Sequence, residues 1–426
     1  MINKIKALLM REERSRRVWL TALIIAAGTL FAAAVCAFYV YVLGKPFYPY
    51  GTLFCAWPDT FGDIMFPLNT VLGTMQPYQY IGHNYLPLTY VLLWPLRMFP
   101  AQTGALFAVF AFLVFMLCYT RVNLKNIAGG GWAAIIFTFL CYPVFFLAER
   151  ANVEMLLFAL FTGFILTYRK KFFYAAAIIL AMLISQKIYP AVFLILFVKD
   201  KQFKAAFLSI LLSVGFFFLG LALTGNNPHG LATNLAYFNE RYAIGPQGIA
   251  FSHTLYALIR LPFTVALNYY SITMETYKSI SSALAFPYMI FCFVFFSIAS
   301  LIVILKQKAF WKDIFILAAC SVWLPYVSFD YTLIWLLPPF FMFTADGEKE
   351  NKKDVLMYGV LFGLLFIPMN WYWLCATEYW RINIGVPIRT SLLGFMLVYI
   401  MFKDLSINEL WHNLKLYLSN VLPFAK

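Results

Sequence analysis

Long apolar runs, joined alternately by basic and by acidic, aromatic connections, constrain this chain more than any other feature. A helix needs about 20 predominantly apolar residues to cross a bilayer. Such runs lie at 18–44, 101–119, 131–148, 154–168, 172–186, 188–198, 205–223, 283–305, 314–327, 333–344, 355–369 and 390–402. Several fall short of that length, so their helices must extend into the flanking polar residues. With 63% hydrophobic and only 12% charged residues, the chain lacks the polar side chains that a soluble domain of this size needs on its surface. The expectation is an all-α polytopic membrane protein with about twelve transmembrane helices in a single membrane-embedded domain.

Charge gives the orientation. Alternate connections carry Arg121 with Lys125, Arg169-Lys170-Lys171, Lys199 to Lys204, Lys306 to Lys312 and Lys349 to Lys353, and with the two termini this set holds 23 of the 32 Lys and Arg. Basic loops stay on the cytoplasmic side, so both termini are expected inside and the remaining connections outside, in a bacterial inner or plasma membrane. The net charge of +14 is explained by juxtamembrane clusters facing anionic lipid, and nucleic acid is not an expected partner. Residues Met1 to Arg17 hold six basic residues before the run Val18 to Gly44. That run is too long for a cleaved secretory signal and reads as a retained first span.

Three outer connections are long: 45–100, 224–282 and 370–389. In the first, Ile64 to Leu72 and Tyr85 to Met98 are short, aromatic and proline-rich, which suggests interfacial helices on the outer leaflet. The tail, 404–426, has Leu405, Ile407, Leu410, Trp411, Leu414 and Leu418 at near-helical spacing and reads as a cytoplasmic amphipathic helix. Seven cysteines show no metal-type spacing. Cys55 and Cys375 both fall outside, where a disulfide is chemically possible, but spacing does not establish proximity.

The ionisable residues of the outer face are the candidates for chemistry. In Trp57-Pro58-Asp59-Thr60-Phe61-Gly62-Asp63, either aspartate can act as a general base toward a sugar hydroxyl, or Asp59 can simply cap a helix. Lys187, between two apolar runs, is costly unless paired; a lipid phosphate or snorkelling to headgroups would both satisfy it. Arg150 can hold a phosphate through parallel hydrogen bonds or pair with Glu149 or Glu154. Asn152 and Glu154 can orient sugar hydroxyls or satisfy a turn. In the long outer loop, His253 and Arg260 can contact a donor phosphate or an acceptor, or serve as scaffold. Asp330, beside Tyr331 at the end of a span, needs a partner such as Arg150, Lys187 or Arg260, and a purely structural ion pair is the other reading.

These stretches resemble polytopic GT-C glycosyltransferases, especially glycosyltransferase family 87. Asp63 stands a family-like distance before Pro77-Tyr78, and Asn84-Tyr85-Leu86-Pro87 takes the place of a Tyr-Pro-Pro segment, with Leu86 where proline is usual. Glu149-Arg150-Ala151-Asn152-Val153-Glu154 resembles an Arg-Gly-Asn-x-Asp turn, with Ala151 and Glu154 as departures. Ser185-Gln186-Lys187-Ile188-Tyr189-Pro190 resembles a Lys-x-Tyr-Pro segment. The order agrees over roughly residues 50–200; beyond it the likeness is weaker, covering Phe251 to Leu255 with Arg260, and Ser328 to Tyr331. The resemblance implies a GT-C fold and an inverting transfer of a hexose, mannose included, from a polyprenyl-phosphate donor to a glycolipid or glycan acceptor. It makes Asp63 the first choice of base and Asp59 the second, puts Lys187, Arg150, Arg260 and His253 at the donor phosphate, and leaves Asn152, Glu154, Tyr189, Asp330 and Tyr85 for sugar or acceptor. Some GT-C enzymes need a divalent metal, but without a carboxylate cluster none is expected here, nor any other cofactor.

The chain has no P-loop, dinucleotide glycine fingerprint or zinc-type His cluster. A flippase or transporter for lipid-linked sugar is the reading from another class, and a polysaccharide polymerase or ligase is a third. A transporter would distribute ionisable residues through the bilayer, often in repeated halves; here they collect at one face and no halves repeat.

Overall fold

A computed structural model describes residues 2–51, 60–71, 76–79, 81–82, 85–269, 271–306, 308–346, 350–376, 381–403 and 405–421. Every apolar run named above is helical over most of its length. The helices that position the site are α1 (Ile2–Ala37), α2 (Gly62–Val71), α3 (Pro87–Leu93), α4 (Ala101–Asn123), α5 (Gly130–Phe139), α6 (Tyr142–Arg150), α7 (Glu154–Arg169), α8 (Phe173–Ile184), α9 (Leu194–Lys199) and α10 (Phe203–Leu223). They continue as α11 (Pro228–Phe238), α12 (Leu255–Asn268), α13 (Met274–Leu305), α14 (Phe310–Trp323), α15 (Leu337–Asp346), α16 (Lys352–Leu365), α17 (Gly385–Phe402) and α18 (Ile407–Val421). Among the described residues five helices are long and apolar enough to cross a membrane, or six if a bent pair counts as one span. The protein is therefore an integral membrane protein, and the other expected spans are shorter helices.

Three departures from the expected pattern have local causes. The run 131–148 is two helices, α5 and α6, meeting at 47°. Cys141 is extended and Pro143 stands at the start of α6, where a proline is tolerated but cannot continue the preceding helix. The run 333–344 begins as a 3-10 helix, Asp330–Leu336, before α15. The connection 370–389 contains a short antiparallel pair, β1 (Trp373–Ala376) with β2 (Arg381–Asn383), so the fold is not wholly helical.

Close helix approach follows from small residues, because apolar side chains gain nothing by leaving lipid for protein. Ala176, Ala177 and Ala181 of α8 are fully buried, between α7 and α10. Gly359 and Gly363 of α16 face α1: a Cβ on Gly363 would lie 2.8 Å from Ile24, and Thr21 Oγ1 donates to the Gly359 carbonyl at 3.0 Å. The segment expected to lie on the outer leaflet is held more firmly than that. Pro87, Leu88, Thr89, Tyr90 and Leu93 of α3 are buried, and the α3 backbone abuts Gly220 of α10.

At one end of the bundle the basic connections meet one another. Lys199 pairs with Asp313, Lys403 with Asp354, and Lys312 with Glu350 at 2.5 Å. Arg14 donates to the Asn123 carbonyl at 2.9 Å. The tail helix α18 joins this end through Asn413 to the Leu305 carbonyl and Tyr417 to the Val198 carbonyl. The acidic and aromatic connections meet at the other.

Candidate active site

The site starts from a turn. Helix α6 ends at Arg150, and Ala151 follows at φ 48°, ψ 44°, a left-handed conformation that costs a residue with a Cβ about 1–2 kcal/mol. This is the position at which the family motif has glycine. After the reversal Asn152 meets Arg150 at the Asp63 carboxylate, and Glu154 turns to Lys187. Asn152 Oδ1 accepts from the Glu154 amide at 3.0 Å, occupying one of the donors that a helix start leaves open. The segment leading into α2 docks on the same turn: the Phe61 amide donates to the Glu149 carbonyl at 2.7 Å, with Phe61 also at positive φ, 60°. Asp63 is thereby presented from the first turn of α2, where the partial positive charge of the helix end favours a carboxylate.

Asp63 is gripped from two sides. Arg150 Nη2 donates to its Oδ1 and Asn152 Nδ2 to its Oδ2, the latter at 2.6 Å. Asn152 also donates to the Tyr85 hydroxyl at 3.1 Å. The side chains of Asp63 and Arg150 are each 18% exposed, so a ligand can reach them. Burial is the main cause that pushes the Tyr85 phenol well above its ordinary value, with the Asp63 charge adding to it; Tyr85 is therefore a neutral donor.

Beside this pair lies a second carboxylate with no access to solvent. Glu154 is 0% exposed and Lys187 22%. Lys187 Nζ donates to Glu154 Oε1 at 2.5 Å, while Tyr189 and Trp335 Nε1 donate to Oε2 at 2.6 and 3.0 Å. Lys187 also lies 5.8 Å from the Tyr85 ring centre and 6.0 Å from that of Tyr189, so Tyr85, bonded to Asn152, links the two carboxylate centres. Trp335 is locked by stacking on Phe161 at 4.3 Å.

The remaining expected residues are placed differently. Asp330 is 1% exposed and partnered by Arg389, with His253 Nδ1 at 3.2 Å and the Tyr142 hydroxyl at 3.1 Å; the partners considered for it, Arg150, Lys187 and Arg260, are elsewhere. His253 is fully buried, with its other ring nitrogen 3.4 Å from Thr332 Oγ1. Burial holds its pKa below the usual histidine value, against the opposing pull of Asp330. Arg260 is buried beneath the turn at residues 242–245. It donates to the carbonyls of Ile244 and Gly245, each at 3.1 Å, and of Tyr242 at 3.4 Å, with the Tyr256 ring 4.5 Å away. Neither His253 nor Arg260 hydrogen-bonds to the Asp63 cluster. Asp59, Asn84 and Cys55 lie outside the described residues; Cys375 is a buried free thiol. Among the described residues no group of three or more His, Cys, Asp or Glu is placed to hold a metal ion.

The model of glycosyltransferase family 87 matches residues 83–274. The chain is a family-87-like glycosyltransferase. The match covers a little under half of the chain and takes in the Arg150–Glu154 turn and the Lys187–Pro190 segment, the two stretches that build the cluster. It begins after Asp63, so that residue joins the family-87 region through its bonds to Arg150 and Asn152. No curated protein and no solved structure matches the chain. Trp335, Tyr142 and Arg389 are polar partners that sequence reasoning missed. Trp335 looks like any aromatic in an apolar run, whereas Arg389 was visible as one of few outer cations and needed only a carboxylate to be assigned to it.

Proposed function

We propose that this glycosyltransferase moves a hexose, with mannose the first to test, from a polyprenyl phosphate to a hydroxyl of a glycolipid or glycan acceptor. The reaction takes place on the extracytoplasmic face and inverts the anomeric carbon. The observation that carries the reading is the partly exposed Asp63 carboxylate, fixed by Arg150 and Asn152 with Lys187 nearby. A general base has to be held within hydrogen-bond reach of the proton it removes, and a departing phosphate needs cations already in place.

The step follows from these positions. An acceptor oxygen bonds to the anomeric carbon from the face opposite the phosphate and gives its proton to Asp63. The bond between that carbon and the phosphate oxygen breaks, and its electron pair leaves with polyprenyl phosphate. Arg150 and Lys187 neutralise the charge that grows there, a contribution of several kcal/mol in a poorly hydrated site. Arg150 is drawn toward the incoming phosphate and uncovers Asp63 Oδ1, so donor binding readies the base. Asn152 keeps the carboxylate oriented and Tyr85 lines the approach. Glu154 and Tyr189 hold Lys187, and Asp330 with His253 and Arg389 fixes the surrounding helices. The meeting of the basic connections at the opposite end supports cytoplasmic termini. About twelve crossings and a GT-C arrangement belong to the same reading.

Incubating the purified protein with a panel of polyprenyl-phosphate sugars and following release of polyprenyl phosphate tests it. The wild type should turn over, and Asp63→Asn should lower kcat by about 10²–10⁴-fold. An Asp63→Asn variant as fast as wild type would remove Asp63 from the chemistry and bring Asp59 forward. No turnover with any donor and several acceptors would favour a lipid-linked-sugar transporter.

A further inference from the structure

The long outer loop contains a cleft that the reaction above does not use. It has a volume of about 380 Å³ and is lined by Tyr237, Glu240, Arg241, Gln247, Met274 and Lys278, within the roughly 300–1,000 Å³ of small-ligand sites. Its polar groups are mixed in kind. Glu240 pairs with Lys278 at 2.8 Å, Arg241 donates to the Tyr237 hydroxyl at 2.6 Å, and Gln247 adds an amide. A carboxylate, an amide, fixed cations and an aromatic ring around one space offer donors and acceptors in several directions together with an apolar face. That is the chemistry a sugar ring requires; an anion site would not place a carboxylate on its wall.

The cleft is built on a rigid support. One wall is a π-helical turn, Asn239–Ile244, a form of backbone often found at functional sites. Buried Arg260 holds the carbonyls of Tyr242, Ile244 and Gly245 from below, giving that otherwise unexplained buried cation a function. The same turn joins the cleft to the catalytic cluster. Arg241 faces the cleft, and its neighbour Tyr242 is close enough to Asp63 and Arg150 for both charges to act on its phenol. Aromatic rings continue this connection: Tyr242 meets Phe329, Phe329 meets Tyr331, and Tyr331 meets Phe146 of α6, at centroid distances of 6.1, 5.9 and 5.7 Å.

We infer that this cleft is a distal acceptor subsite, which binds a sugar of the acceptor other than the one that is glycosylated, so that the preferred acceptor carries an oligosaccharide. The inference rests on the glycosyltransferase reading of the Asp63 cluster for its place in the reaction, but glycan binding is measured separately. The probes are manno- and gluco-oligosaccharides from di- to pentasaccharide, titrated against the full-length protein in detergent, with wild type, Asp63→Asn, Arg241→Ala and Gln247→Ala compared. Wild type and Asp63→Asn should bind at least one series equally, and each cleft substitution should weaken that binding about tenfold, the loss expected for one charge-assisted or well-buried hydrogen bond. In transfer assays the ratio of kcat/KM for the oligosaccharide acceptor to that for the matching monosaccharide should fall by a similar factor. Equal binding by wild type and both cleft variants, or no binding by any protein in either series, overturns the subsite. Unimpaired transfer by Asp63→Asn would instead refute the catalytic reading and leave the binding result to be judged alone.

Discussion

Replacing Glu154 tests whether the Lys187 ammonium is held by the fold. Glu154 is 0% exposed and accepts from Lys187, Tyr189 and Trp335. Glutamine keeps the volume, but one of its two terminal atoms becomes a donor. If its oxygen faces Tyr189 and Trp335, the Lys187 ion pair is lost; if it faces Lys187, the amide nitrogen meets Trp335 Nε1, which can only donate. Either way one charge-assisted hydrogen bond or one buried donor is forfeited, about 2–3 kcal/mol. Lys187→Met should cost more, about 3–5 kcal/mol, because it leaves a buried carboxylate without its cation. In the double variant an amide faces an apolar chain, and the losses should fall short of their sum by at least about 1 kcal/mol. Unfolding of the detergent-solubilised protein, followed by tryptophan fluorescence, measures all three. Both single variants should also raise the donor KM, because Glu154→Gln releases the ammonium from its fixed position and Lys187→Met removes it. Additivity within about 0.5 kcal/mol, with donor KM unchanged in Glu154→Gln, would refute the coupling.

Three other outcomes follow from the same geometry. Arg389→Met leaves Asp330 buried without its cation and should cost about 3–5 kcal/mol, most of it recovered by adding Asp330→Leu, as read by thermal unfolding. Because burial lowers the pKa of His253 below 6.5, the unfolded chain takes up that proton first as pH falls. The contribution of neutral His253 is therefore present above about pH 6.5 and lost as pH drops toward the folded value, and His253→Gln should flatten the acid side of a plot of melting temperature against pH. Ala151→Gly relieves the left-handed backbone after α6 and should raise stability by about 1 kcal/mol, with activity retained.

The layout of the bundle was legible because apolar length and loop charge depend on neighbouring residues alone. The runs 101–119 and 205–223 became α4 and α10 almost unchanged, and the connections read as basic do bond to one another. What local pattern could not supply was the break at Pro143, where an apolar run long enough for one span divides in two, or the β1–β2 pair within an outer loop. The site was legible to the same depth. A carboxylate at the edge of a span must find a cation, so Asp330 was marked for pairing and Glu154 stood as a possible partner of Arg150, while Asp63 was singled out only as a base. Which cation each finds depends on contacts 87, 33 and 59 residues apart in the chain, and these are set by helix packing that no motif records.

On the proposed reaction, exposure separates the three carboxylates by task more sharply than their surroundings in sequence. All three have cationic or strong hydrogen-bond partners, but only the Asp63 side chain keeps open surface, 18% against 0% for Glu154 and 1% for Asp330. A buried carboxylate without partners costs several kcal/mol, so the two closed ones persist only with near-complete satisfaction, and the groups they hold are immobilised as a result. Glu154 fixes Lys187 and Tyr189, while Asp330 ties His253 of the outer loop to Arg389 of α17. A reacting group held by such a frame needs little reorganisation when charge moves. On this argument substitutions in the closed pairs should show in stability measurements and those in the open pair in rate measurements, and a variant of Glu154 that slowed transfer while leaving both stability and donor KM intact would contradict it.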